Sequence, residues 1–233
     1  MLAPLFGARG VPNLVKLSIA GCLSIILYPM VQGTNPNIPD QLLLYIGVLI
    51  KEILLGLTVG FVISAITSIL SGAGQMIDYH MGFMMANSID PINGMQTPLL
   101  GQFLAIVATM LLLATNMHHY LIAAMVKSYS YIPLNPSGMP ASISYYTGLI
   151  SQIFSLSIQI AMPVIGAIVL ADIGMGLLGR AVPQLQIFAV IFPSKIIFGF
   201  VILILSIPFW AGSISGLFNS SMTWVLELYR GWK

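Results

Sequence analysis

Residues 42–70, LLLYIGVLIKEILLGLTVGFVISAITSIL, decide the fold class of this chain. As a helix, this apolar stretch would be about 43 Å long, which exceeds the roughly 30 Å hydrocarbon layer of a bilayer. Lys51 and Glu52 interrupt its middle third, where a charge costs about 2.5–3.5 kcal/mol on insertion scales. Neighbouring side chains on a helix point about 100° apart, so these two cannot simply neutralise each other. We therefore expect a membrane-associated helix whose charges meet partners elsewhere.

The composition of the whole chain points to the same class of protein. Of its 233 residues, 58% are hydrophobic and only 6% are charged, whereas soluble domains carry roughly 25% charged residues. So few charges cannot build a water-facing surface, which leaves an integral membrane protein or a subunit buried among membrane subunits. The net charge of +2 gives no indication of nucleic-acid binding. The single Cys22, which we expect to be buried, excludes a disulfide framework.

Apolar blocks separated by turn-rich stretches predict an all-α fold. We expect one domain over residues 1–233, built from membrane-associated helical hairpins, because nothing alternates with the period of a strand. Pro163 should bend the fourth block, and Pro193 and Pro208 should interrupt the last. A short amphipathic tail closes the chain at 222–233. The apolar blocks cover residues 14–31, 42–70, 99–126, 143 to about 170, and 184–218.

The basic residues do not show the bias of an ordinary multi-pass protein, which has an excess of Lys and Arg on its cytoplasmic side. If each block crosses the membrane once, three basic residues fall on each side. Either the charges in apolar blocks line an aqueous path, or the helices pack mainly on other proteins that neutralise them. The overlong and Pro-broken blocks favour the second alternative. The charges that we assign to buried positions or subunit packing are Lys51, Glu52, Asp172, Arg180 and Lys195.

Residues 171–184, ADIGMGLLGRAVPQ, contain the Gly-x-Gly-x-x-Gly spacing of a dinucleotide loop. Such a site needs a preceding strand and a later acidic residue, whereas an apolar helix precedes this stretch and Pro183 stops the next one. We predict instead a close contact between helices, a reversal at Gly179–Pro183, and a protein-lined turn marked by Asp172 and Arg180. The residues predicted for turns and helix packing are Gly56, Gly60, Gly174, Gly176, Gly179, Pro183 and Gln184.

No pattern in the chain indicates an enzyme. His118 and His119 are neighbours that splay apart on a helix, and a metal site needs three or four convergent ligands. We expect them to be a hydrogen-bonded polar pair near a helix end. Neither Gly-x-Ser-x-Gly nor a Walker loop is present in the sequence, so we expect no catalytic residue, no metal and no cofactor.

Residues 72–98, GAGQMIDYHMGFMMANSIDPINGMQTP, are rich in Gly and Met. Met side chains adapt to irregular partners, and Gly permits unusual backbone geometry. From composition alone, the segment fits either a deformable seal around a passing chain or a Met-rich surface buried against a neighbour.

Several stretches, taken together, resemble the FliR family of flagellar export proteins, which has SctT-type relatives in injectisomes. The resemblance covers nearly the whole chain, and the Arg-x-x-Pro-Gln-Leu core at Arg180–Leu185 is its most specific motif. Asp90-Pro91 and Pro183-Gln184-Leu185 look more like the flagellar branch than the virulence branch. The similar stretches are APLFGARGVPNLVKLSIAG (3–21), KEILLGLTVGF (51–61), GQMIDYHMGFMMANSIDPINGMQTPLLGQF (74–103), NMHHYLIAAMVKSYSYIPL (116–134) and LADIGMGLLGRAVPQLQIFAVIFPSKI (170–196).

The resemblance implies a non-enzymatic, channel-forming subunit of the type III export gate, in the inner membrane at the flagellar basal body. The implied partners are FliP-like and FliQ-like subunits, FlhB-like and FlhA-like export proteins, membrane lipid and unfolded protein substrates. Family members begin with a further apolar helix, which we expect to be absent here. The alternatives are an SctT-type injectisome subunit or an independent secondary transporter of small solutes.

The family also carries a plug inside the channel, which the resemblance places at residues 81–97 of this chain. This implication favours the seal over the buried Met-rich surface. The implied plug residues are Met81, Gly82, Phe83, Met84, Met85, Asn87, Asp90, Pro91, Gly94 and Met95.

Overall fold

The computed structural model describes residues 11–32, 41–83, 98–132, 142–181 and 187–231. Every regular element in these ranges is an α-helix, so the predicted all-α fold class is confirmed. The helices are α1 (Asn13–Gln32), α2 (Leu42–Met81), α3 (Leu99–Ala114), α4 (Met117–Tyr131), α5 (Ile143–Ala181) and α6 (Ile187–Gly231).

Helix α2 extends well beyond the apolar block that predicted it. Its 40 residues correspond to about 60 Å, and the polar residues 71–81, which we expected in a separate segment, form its last turns. The helix ends at Gly82, whose φ of 86° lies in the left-handed region that glycine adopts without steric cost. The Gly82 N–H donates to the Tyr79 carbonyl over 3.2 Å, which caps one of the last carbonyls of the helix.

Prolines do not divide the two C-terminal helices. Helix α5 continues through Pro163, and α6 continues through both Pro193 and Pro208, so the predicted interruption of the last apolar region was wrong. A proline removes one helical N–H, but neighbouring helices in membrane proteins supply replacement donors. Because Pro163 has no N–H, the Gln159 carbonyl lacks its usual helical donor. The Trp210 indole of α6 donates to the next carbonyl, that of Ile160, over 3.0 Å.

The third apolar block, which we expected to be a single unit, is two helices. Helices α3 and α4 are bent by 74° relative to each other. Asn116 lies at the break with φ 56° and ψ 25°, a left-handed conformation that Asn tolerates better than most residues. The sequence hid this break because residues 99–126 carry no proline or glycine near position 116.

The chain forms two compact units, and four helices, α2, α3, α5 and α6, contribute to both. The first unit contains residues 1–67, 109–151 and 218–233, and the second contains 68–108 and 152–217. No observation tests the prediction of a single domain, so it stays a prediction.

Hydrogen bonds from tyrosines connect the helices within the first unit. The Tyr229 hydroxyl of α6 donates to the Ala124 carbonyl of α4 over 2.6 Å, and its ring stacks on Tyr131 at a centroid distance of 5.7 Å. The Tyr145 hydroxyl of α5 donates to the Trp224 carbonyl over 2.7 Å. The predicted amphipathic tail is thus the end of α6, with Trp224, Val225, Leu228 and Tyr229 buried and Leu226 and Glu227 exposed.

Within the described ranges, three helical segments are long and apolar enough to cross a membrane, namely 42–81, 143–181 and 193–210. The bent pair α3–α4 would make a fourth if it counts as one span. The length and composition of these helices therefore agree with the membrane-associated class of protein that the sequence predicts.

Candidate functional site

The charge pair in the middle of α2 has partners inside the chain. Lys51 is buried, and Glu52 beside it is half-buried. The Tyr129 hydroxyl of α4 donates a hydrogen bond to the Glu52 carboxylate, and Glu52 attracts the neighbouring ammonium group electrostatically. Glu52 thus has a partner within the chain, and a role of these charges in subunit packing stays a prediction.

Asp172 also has a partner that the sequence did not indicate. Residues 171–181 are helical, so Asp172 and Arg180 are separated by more than two turns, about 12 Å. The Asp172 carboxylate instead pairs with the Lys195 ammonium of α6 at 2.8 Å. Arg180 is exposed on the isolated chain, and its role in subunit packing stays a prediction.

Three of the glycines predicted for close helix contact make none with the described residues. A Cβ added at Gly56, Gly174 or Gly176 would meet nothing within 4 Å, so these positions face open space. Gly60 and Gly179 are half-buried, and Pro183 and Gln184 lie outside the described residues. A role of the exposed glycines in contacts with other subunits stays a prediction.

Close helix contacts occur at other glycines, which sequence reasoning did not single out for packing. A Cβ at Gly74 of α2 would lie 2.6 Å from the Cα of Gly101 in α3. One at Gly199 of α6 would lie 2.5 Å from the Cε of Met81, and one at Gly72 would lie 3.1 Å from the Ser157 hydroxyl. All of these contacts belong to the second unit, where they pack α2 against three other helices.

Asp78 is the main polar group of the second unit that the sequence analysis missed. Its side chain is fully buried, yet both carboxylate oxygens accept hydrogen bonds, each at 3.0 Å, from the N–H groups of Leu100 and Gly101. These N–H groups lie in the first turn of α3, where a helix has no internal acceptors for them. Because the partners are 22 and 23 residues away, no local pattern could have predicted this contact.

The first residues of the predicted plug are packed against α6. Met81 is fully buried against Gly199, and the Phe83 ring meets the Phe200 ring edge to face, with centroids 6.2 Å apart. The remaining plug residues lie outside the described part of the chain: Met84, Met85, Asn87, Asp90, Pro91, Gly94 and Met95.

Other predicted polar features differ from expectation. Cys22 is exposed, not buried. The ring centroids of His118 and His119 lie 4.2 Å apart at the start of α4. The buried Nδ1 atom of His118 has no hydrogen-bond partner among the described residues, so they do not show the fully hydrogen-bonded pair that we expected. Over the described ranges, no three His, Cys, Asp or Glu side chains converge in a way that could hold a metal ion.

Comparison with known proteins defines the class of this chain. The family described as bacterial export proteins, family 1, matches residues 1–221. The Flagellar biosynthetic protein FliR of Caulobacter vibrioides is 35% identical, over 89% of this chain and 83% of its own length. The protein of the same name from Bacillus subtilis is 33% identical, over 86% of this chain and 78% of its own, and that of Escherichia coli is 28% identical, over 93% and 83%.

These similarities show that the chain belongs to the FliR family of bacterial export proteins, as its motifs indicated. Membership makes it a component of the flagellar export apparatus, and its apolar helices place it in a membrane.

Proposed function

We propose that this chain is a non-enzymatic, channel-forming subunit of the flagellar type III export gate in the bacterial inner membrane. The observation that carries the proposal is the family match over residues 1–221, together with relatives that are named as flagellar biosynthetic proteins. Unfolded flagellar proteins are the proposed cargo. Energy for their transport comes from outside this chain.

The exposed surface of the helices supports assembly with other subunits. More than half of the residues in each apolar span are not buried within the chain. Leu43 and Leu170, for example, are 80% and 71% exposed, and such apolar surface is stable only against lipid or protein. The proposed partners are FliP-like and FliQ-like subunits in a hetero-oligomer, with FlhB-like and FlhA-like proteins beside it.

The second part of the proposal assigns residues 81–97 to a seal in the channel. The support is the family resemblance and the composition of the segment, because its Met side chains can adapt to a passing chain. The seal consists mainly of residues 84–97, while Met81 and Phe83 hold its first end on α6.

Co-purification tests the assembly. The chain is expressed with and without FliP-like and FliQ-like partners, extracted in mild detergent and analysed by size. We expect a stable hetero-oligomer only in the presence of the partners. A stable, monodisperse isolated chain would contradict the gate function and favour an independent transporter.

Deletion of Met84–Gly94 tests the seal. The assembled complex should keep its subunits but conduct ions, which a membrane-potential dye measures in intact cells. The control is a shorter deletion, of residues 135–139 in the connection between α4 and α5. A complex with this deletion should not conduct ions. Unchanged conductance in the first deletion would exclude the sealing role while leaving the assembly intact.

A further inference from the structure

The two ends of the connection between α2 and α3 are joined by a buried carboxylate. Asp78 lies in the last turn of α2, and its two oxygens accept the Leu100 and Gly101 N–H groups at 3.0 Å each. A carboxylate at a helix N-terminus is favoured by the partial positive charge there. The contact therefore holds the first turn of α3 against the end of α2.

This arrangement differs from ordinary helix capping. A helix is normally capped by a Ser, Thr, Asp or Asn immediately before its first turn, but Pro98, which precedes α3, has no side-chain acceptor. The cap comes instead from a residue 22 positions earlier. Losing it would both expose the first turn of α3 and release α3 from α2, whereas losing a local cap would affect one helix only.

A backbone contact beside Asp78 fixes the same two helices independently. A Cβ added at Gly74 would lie 2.6 Å from both the Gly101 Cα and the Leu100 carbonyl oxygen. Both are backbone atoms, which cannot move aside as the end of a flexible side chain can. Any side chain at position 74 therefore forces α2 and α3 apart.

We propose that Asp78 and the Gly74–Gly101 contact form a clamp that positions the seal, by fixing where the connection 82–98 starts and where it ends. Asp78 is thus a positioning residue for the closed channel. The inference rests on the proposed sealing function. Two separate contacts support it, because the Asp78 hydrogen bonds and the Gly74–Gly101 contact both hold α2 against α3 at the same junction.

The test uses the full chain in the assembled complex. Asp78→Asn is nearly isosteric but replaces one acceptor oxygen by an NH₂ group, which cannot accept from the second N–H. We expect the ion leak to rise about tenfold, equivalent to about 1.4 kcal/mol, close to the lower end for a hydrogen bond to a charged group. Gly74→Ala should raise the leak as well, since it opens the same contact sterically.

Two control variants make the same chemical changes away from the clamp. Glu227→Gln neutralises an exposed carboxylate of α6, and Gly47→Ala adds a methyl group to α2 where no atom lies within 4 Å. Both should keep the leak of the unmodified complex. Subunit co-purification is measured for every variant, because a purely structural role would reduce assembly without opening an assembled channel.

Each outcome decides the proposal. A leak through complexes that retain their subunits, in either clamp variant, supports it. Closed channels in both clamp variants, while the Met84–Gly94 deletion leaks, would refute the clamp and leave the seal standing. If the complex with the Met84–Gly94 deletion does not leak, both the sealing function and the clamp are refuted. Loss of assembly in both clamp variants would make Asp78 and Gly74 folding residues and overturn the inference.

Discussion

Neutralising Asp172 should destabilise the chain, because it leaves the Lys195 ammonium without its partner in a largely apolar hairpin. The two side chains are joined at 2.8 Å, with 18% of Lys195 and 37% of Asp172 exposed. A fully exposed pair contributes at most about 1 kcal/mol, whereas breaking a fully buried pair costs about 3–5 kcal/mol. The partial exposure of both groups places the expected loss for Asp172→Asn at about 2 kcal/mol in the free energy of unfolding.

A double-mutant cycle measures this quantity. The chain is unfolded by SDS titration in mixed micelles and followed by tryptophan fluorescence. The exchanged pair Asp172→Lys with Lys195→Asp should recover most of the loss, because the attraction survives the reversal of sign. Arg180→Gln, which removes an exposed charge from the same helix, should change stability by less than about 0.5 kcal/mol.

The reasoning would be refuted if the exchanged pair were as unstable as the sum of its two single variants. The loss would then come from the packing of each side chain and not from their attraction.

Three further changes test local features. Tyr229→Phe removes the hydroxyl that donates to the Ala124 carbonyl and should cost about 1 kcal/mol of folding stability. Burial also raises the pKa of Tyr229, so the native chain should lose stability as the pH rises above about 10. In thermal melts recorded at several pH values, the variant should lose less stability over this range than the native chain. Asn116→Val places a β-branched residue at φ 56° and should lower stability by at least about 1 kcal/mol, with Asn116→Gly as a control that keeps or raises the melting temperature. Trp210→Phe keeps an aromatic ring but removes the donor to Ile160; we expect a loss of about 1 kcal/mol in the same SDS titration, and an unchanged midpoint would show that this bond does not support the helix at Pro163.

Asp78 shows where sequence reasoning about the candidate site reached its limit. Its segment stands out by composition, and the family motif drew attention to residues 81–97. The sequence analysis did not single out the Asp78 carboxylate. Its function as a cap appears only when α2 and α3 are packed together, because its partners are backbone N–H groups that carry no sequence signature.

The glycines show a similar limit. Gly56, Gly174 and Gly176 have the small-residue spacing typical of helix contacts, yet they face open space, while Gly74 and Gly199 are in close contact. Spacing states which residues share a face of a helix, but not which face meets a neighbour. The same reason explains why the Asp172–Lys195 pair was not expected.

The sequence by itself determined the all-α class, the apolar character of the helices and membership of the FliR family. These follow from hydrophobicity, the shortage of charge and contiguous motifs, which are properties of neighbouring residues. Only the tertiary structure decided which charges are paired, which glycines lie against a backbone, and that the ends of α2 and α3 are joined by one carboxylate. Such contacts depend on how distant segments pack, and local patterns do not encode that geometry.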